Sequence, residues 1–308
     1  MKKIRLLCLL LASTYTLAQT DIDGIMMTKN NFCSGLVYEY SSWDHYWEGK
    51  FYRDNQNLGT VSTQKLSVMG NYGISRKWNV LFNLNYVTTK ASAGTLAGQK
   101  GLQDLTLTTK FMPFEISWKE NILAFYAIGN LTVPTTNYVA DYLPLSIGTQ
   151  STTGTIRLMA DLQKGDFFAT VSQAYIKRSN ITIDRDAYFT TEMHYTNEVE
   201  MPDVLTFNGR IGYRTNRVIA EAIFDSWITQ GGFDMTLNNM PFPSNRMNAS
   251  KIGLNGKYYF QKIPNLSVIA GYNHAISGRN VGQSNTFYGG LFYIMNFKKN
   301  KTDEKVSQ

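Results

Sequence analysis

The stretch Trp78-Asn79-Val80-Leu81-Phe82-Asn83-Leu84-Asn85-Tyr86-Val87-Thr88 decides the fold. Trp78, Val80, Phe82, Leu84 and Tyr86 share one parity, and Asn79, Asn83 and Asn85 share the other. Successive side chains of a strand point to opposite faces, so this segment has one apolar wall and one amide-lined wall. Working outward, the same two-sidedness recurs and predicts twelve strands. They fall at about 34–43, 61–73, 78–88, 102–112, 122–132, 154–163, 167–178, 204–214, 218–229, 249–260, 266–276 and 285–297. Tight connections (Ile74–Lys77, Gln163–Asp166, Thr215–Arg217, Gln261–Asn265 and the longer Pro113–Asn121) alternate with long ones centred on 44–60, 89–101, 133–153, 179–203, 230–248 and 277–284. An even strand count with strictly alternating short and long connections is the pattern of an all-β, antiparallel transmembrane β-barrel. Its short turns would be periplasmic, its long loops extracellular and its lumen polar.

The parities supply a lumen. Asn79, Asn83 and Asn85 face in from the third strand, and Asp104, Thr106, Thr108 and Lys110 from the fourth. Arg157 and Asp161 oppose an apolar face on the sixth. Arg210 and Arg214 do so on the eighth, Glu221 and Asp225 on the ninth, and Lys251, Asn255 and Lys257 on the tenth. Strands five, seven and twelve alternate less cleanly. An Arg or Lys on the lipid face near the bilayer midplane costs about 2–4 kcal/mol, so this parity is a physical demand. The inward charges either line a conduction path or pair into a network that fills the barrel, and both readings stay open here.

Lys2, Lys3 and Arg5, the apolar Leu6 to Leu11 and the small-residue end at Ala18 read as a signal peptide over residues 1–18. The barrel then occupies 19–297, and 298–308 is a polar tail. No later run reaches the ~18 apolar residues of a membrane helix. The formal charge is +7, but three positive charges sit in the leader and a net two in the tail, which leaves the barrel near +2. No basic stripe with interleaved aromatics remains, so nucleic acid is not an expected partner. After cleavage Cys33 stands alone and no internal disulfide can form.

The residues offer little for catalysis. Of three histidines, His45 and His194 lie in long loops. His274, in Tyr272-Asn273-His274-Ala275-Ile276-Ser277-Gly278-Arg279, has Ile276 where an outer-membrane phospholipase has its serine, two residues on and on the same face. The loop carrying Asp184, Asp186, Glu192, His194, Glu198, Glu200 and Asp203 offers a protease rim or an oxygen-ligand site for a divalent cation. It is better read as a solvated acidic loop or one bridged by ions to lipopolysaccharide, because spacing alone does not make ligands converge. No metal-ligand, phosphate-loop or dinucleotide motif is present, and no cofactor is expected. The loop aromatics Tyr46, Trp47 and Phe51, too deep in their loop for an interfacial girdle, are candidates for substrate access.

Four stretches together resemble the outer-membrane transporter family named for the phenol-degradation meta-pathway (MetA type), grouped loosely with long-chain fatty-acid channels. They are Tyr72-Gly73-Ile74-Ser75-Arg76-Lys77-Trp78, Gly101-Leu102-Gln103-Asp104-Leu105, Pro134 through Gly148, and Ser277-Gly278-Arg279-Asn280. Gln103 replaces the second glycine of the family's strand opening. The last strand, ending Tyr293-Ile294-Met295-Asn296-Phe297, resembles the signal read by the barrel-assembly machinery. The resemblance implies a barrel in the outer membrane of a Gram-negative cell that passively admits a small, aromatic or hydrophobic molecule. The competing expectations are a non-conducting structural or adhesion barrel and, less favoured, an outer-membrane hydrolase.

Overall fold

The computed structural model describes residues 20–297 except Asn238 and Pro264, so the leader and the tail lie outside the described residues. Twelve strands close into one antiparallel barrel in chain order. They are β1 (Asn31–Trp43), β2 (Val61–Ser75), β3 (Trp78–Ala91), β4 (Lys100–Trp118), β5 (Asn121–Pro134) and β6 (Thr153–Lys164). The second half is β7 (Phe167–Arg178), β8 (Val204–Arg214), β9 (Val218–Thr229), β10 (Asn248–Tyr259), β11 (Leu266–Arg279) and β12 (Asn285–Asn296). Closure is made by β1, whose Leu36 lies between Val68 of β2 and Leu291 of β12. Both edges of every barrel strand are thereby paired, which is how a sheet satisfies its backbone without water.

Alternation sets the two faces. Along β7, Phe168, Thr170, Ser172 and Ala174 are buried while Phe167, Ala169, Val171, Gln173 and Tyr175 are exposed. Leu36, Trp78, Leu107, Ile156, Ile211, Leu254 and Phe287 all point out of the wall and stay exposed. One connection differs from the sequence expectation. β4 runs on to Trp118 through a register shift between Phe111 and Phe114, and the turn is only Lys119-Glu120. Pro113 lacks an N–H and sits at this bulge, where no ladder bond is required of it. Since Phe111 pairs with Trp78, the first residue of β3, the tip of the β4–β5 hairpin projects past its neighbour.

Residues 20–30 are not part of the wall. They run inside the barrel at its short-turn end, tethered at the rim by the Asn30 N–H donating to the Gly73 carbonyl (2.8 Å). Three apolar side chains of this segment pack onto inward apolar patches. Ile25 meets Phe168, Ile219 and Tyr259; Met26 meets Met112, Tyr126, Ile128 and Met159; Met27 meets Cys33, Phe292 and Ile294. The polar-inside rule fails locally because these inward positions face protein and not water. That is why strands five, seven and twelve look irregular in sequence.

At the opposite end the long loops fold together. Ala140, Ile181, Ile183, Tyr188, Val199 and Met201 form a small core with Phe242, and Leu58, Val61 and Leu145 form a second. His45–Glu48 pairs with Phe51–Asp54 as a hairpin over the β11–β12 connection.

Candidate functional site: the lumen

The site is the barrel interior, read from the short-turn end upward. Lys110 of β4 is fully buried, and its Nζ lies within reach of the carbonyls of Thr20 (3.1 Å), Asp23 (2.5 Å) and Ile25 (3.0 Å) and of Asp23 Oδ1 (3.2 Å). A lysine ammonium is a compact charge with three donors, so it collects the turn of residues 20–25 around one point. The Tyr126 hydroxyl donates to the Gly24 carbonyl at 2.8 Å. Gly24 is required by close approach, since a Cβ there would fall on the Asp161 carboxylate. Gly73 is required in the same way, by the carbonyls of Met27 and Thr28. The peptide is thus keyed into the wall at a cation, a hydroxyl and two glycines.

Around it runs a belt of paired charges. Arg214 donates to Asp161 (2.9 and 3.1 Å), which also accepts from Thr170. Its guanidinium stacks 3.9 Å from the Phe168 ring centroid. Arg210 donates to Glu221 (2.9 Å) and to Asn208 Oδ1 (3.0 Å). Asn208 donates to Asp225 (2.5 Å), Asn255 to Glu221 (2.8 Å) and Tyr288 to Asn255 (3.1 Å). Lys65 and Glu39 are 2.8 Å apart. Lys257 is buried with its Nζ 4.8 Å from the Phe292 ring centroid, and Lys251 faces Asp225 across the β9–β10 register. Buried ionic groups that are paired and further hydrogen-bonded can persist in a low-dielectric interior.

Beside and above this belt a cavity of about 450 Å³ remains open. Polar groups line one part of it: Asn83, Asp104, Thr106, Thr108, Asn130 and Arg178. Met69, Leu81, Ile176 and Trp227 bring apolar surface to the same space. The Asn83 and Asn130 side-chain oxygens are buried without a hydrogen-bond partner. Asp21 of the inner segment closes its lower end, and Thr149 and Ser151 of the 135–152 loop its upper end. That loop is pinned by Tyr138, whose hydroxyl donates to Asp104 (2.6 Å).

The remaining sequence candidates lie as follows. Asn79 is fully buried beside the inner segment's end of the barrel. Asn85 accepts from Ser67 (2.7 Å) and donates to Gln103 (3.4 Å). Arg157 donates to Ser172 (2.9 Å) while its Nε is buried and without a partner. Tyr46, Trp47 and Phe51 sit on the hairpin, outside the cavity lining: Tyr46 bridges to Gly282, Trp47 covers Gly278, and Phe51 is 76% exposed. Asp23, Gly24, Asn130, Arg178 and Trp227 were not singled out from sequence. Trp227 has inward parity with Glu221 and Asp225, and that was its available signal.

A closed twelve-stranded antiparallel barrel with an apolar exterior, a charged interior and an internal plug defines a β-barrel protein of the outer-membrane type. The chain belongs to the family described as "Putative MetA-pathway of phenol degradation", which matches residues 56–289. Among solved structures it is similar to an outer membrane channel from Pseudomonas putida F1, with a TM-score of 0.70 and 13% identity over 91% of this chain and 100% of that one. It is also similar to the translocator domain of the autotransporter NalP from Neisseria meningitidis, with a TM-score of 0.43 and 12% identity over 87% of this chain and 88% of that one. No curated protein matches it.

Proposed function

We propose that this protein is an outer-membrane channel that admits a small, aromatic or hydrophobic molecule by passive diffusion, gated by its own residues 20–30. On this reading the short turns are periplasmic, the long loops extracellular, and residues 1–18 direct export and are removed. Lipid and lipopolysaccharide surround the wall, and the barrel-assembly machinery inserts it. The observation that carries the reading is the lumen cavity of about 450 Å³, within the range of small-molecule sites, with apolar Leu81, Ile176 and Trp227 set against Asn83, Asn130 and Arg178. A lumen filled wall to wall would leave no such space. No covalent step is invoked: His274 is hydrogen-bonded to Asn285 (2.9 Å) and His194 to Thr190 (2.8 Å).

A second reading, a non-conducting structural barrel, draws on the paired belt around Arg210 and Arg214 and on the docked peptide. Solute-driven swelling of proteoliposomes separates the two. A channel swells vesicles in small neutral aromatic solutes faster than in disaccharides, and a structural barrel does neither.

A further inference from the structure

A separate cavity of about 370 Å³ lies among the loops on the long-loop side and shares no lining residue with the lumen cavity. Its walls are aromatic. Tyr188 is stacked between His194 (4.8 Å, 11°) and Phe242 (5.3 Å, 25°), and Phe233 stands 6.3 Å from Phe242. Tyr142 and Phe189 complete the enclosure. Asn245, only 1% exposed, positions two of these rings: its Oδ1 accepts from the Phe242 N–H (2.7 Å), and its Nδ2 donates to the Phe233 carbonyl (3.2 Å). One edge is polar, where Arg185 Nε donates to Asp141 Oδ2 at 2.9 Å and the guanidinium carbon lies 5.9 Å from the Phe242 ring centroid.

Two features point to a ligand. Phe189 is 57% and Met240 39% exposed at this cavity, large apolar surface on loops that, on the channel reading, project beyond the lipid. The Arg185–Asp141 pair is already neutralised, so it can offer a donor and an acceptor to one uncharged polar substituent. A carboxylate would instead bring its charge against Asp141.

We infer that this pocket, built from the loops at 135–152, 179–203 and 230–247, is an external binding site for an uncharged, single-ring aromatic molecule. It rests on the channel reading for its purpose, as the place where solute is collected before the lumen, but not for its chemistry. The ring lies among Phe233, Phe242 and Phe189, and its polar substituent meets Arg185 and Asp141.

The test is fluorine NMR of the refolded barrel with 4-fluorobenzyl alcohol or 4-fluorobenzoate. Line broadening by the alcohol, with benzoate bound about tenfold or more weakly, is expected. Phe233→Ser and Tyr142→Ser each weaken the alcohol by roughly tenfold, the order of one lost aromatic contact, while Ile156→Ala on the outer face of the wall leaves it unchanged. Loss in the lumen variant Trp227→Ala but not in the loop variants overturns the assignment, as does equal binding of benzoate or no binding to a barrel whose heat-modifiable gel mobility proves it folded. Single-channel conductance of Phe233→Ser, expected to equal that of the parent, keeps failure of this site distinct from failure of the channel reading.

Discussion

At the scale of residues, the long-loop end is held by a few charged groups whose titration should be visible. Asp234 accepts from Arg279 (2.7 and 2.5 Å) and Asn280 (2.8 Å), and the Arg279 bonds are the main reason its carboxyl is held down to about 2. A depressed carboxyl contributes its stability above the ordinary value near 4 and loses it as pH falls towards 2. Asn280 accepts from Gly49 and Met235 backbone N–H groups, so the same point joins the 44–60, 230–247 and 280–284 loops. The protection factors of these segments, corrected for intrinsic exchange, should fall between pH 4 and pH 2 while those of the strands hold, and Asp234→Asn should show the lower protection already at pH 6. His45 has the opposite sign. Its ring lies between Asp44 (2.8 Å) and Asp54 (2.7 Å), and the bond to Asp44 chiefly raises its pKa. The imidazolium then contributes below the ordinary histidine range, and the contribution is lost as pH rises through the raised value. The protection factors of the 45–54 hairpin, corrected for intrinsic exchange, should be lower at pH 9 than at pH 6, and His45→Gln should abolish that difference.

At the scale of elements, the inner segment is the part most open to perturbation. It is held by Lys110 and Tyr126, by the full burial of Met27, a change worth about 1.5–3 kcal/mol for a side chain of this kind, and by the partial burial of Ile25 and Met26. Lys110→Ala leaves Asp23 in the interior without its cation, a loss of the order of 3–5 kcal/mol for a broken buried pair. Gly24→Leu is the cleaner variant, because it meets Asp161 and changes nothing in the wall. Both should release residues 20–30 to proteolysis while the barrel keeps its heat-modifiable mobility; a segment still protected in both variants would contradict the docking described. The strands were legible in the sequence because lipid outside and polar groups inside impose a period of two, as in Trp78–Thr88. The plug was not, since eleven residues that run through a lumen have no reason to be periodic. Its trace in the sequence is Ile25-Met26-Met27 before the first strand, together with Tyr126, Ile128 and Met159, apolar at inward positions. The β4–β5 turn was misplaced because Pro113 resembles a breaker and in fact sits at a bulge.

At the scale of the whole molecule, two levels stack along the barrel axis: a docked peptide ringed by ion pairs, and a cavity roofed by loops. The parity of charges told which side chains share the inner face, but not how they pair. Arg214 with Asp161 joins residues on β8 and β6, and no spacing within one strand reveals a partner two strands away. The loop aromatics were harder still. Tyr46, Trp47 and Phe51 turn to the β11–β12 connection, whereas Tyr142 joins Phe233 and Phe242 in a separate pocket, because loop packing is set by tertiary contacts and not by period. The layering makes residues 20–30, with Asp21 at the cavity floor, the gate of the proposed pore. The most direct measurement is single-channel conductance in planar bilayers of the refolded barrel and of its Gly24→Leu variant. A gate made of residues 20–30 gives rare, small openings in the parent and stable larger steps in the variant. Silence in both, with the variant's segment shown by proteolysis to be released, would contradict it and leave a structural barrel.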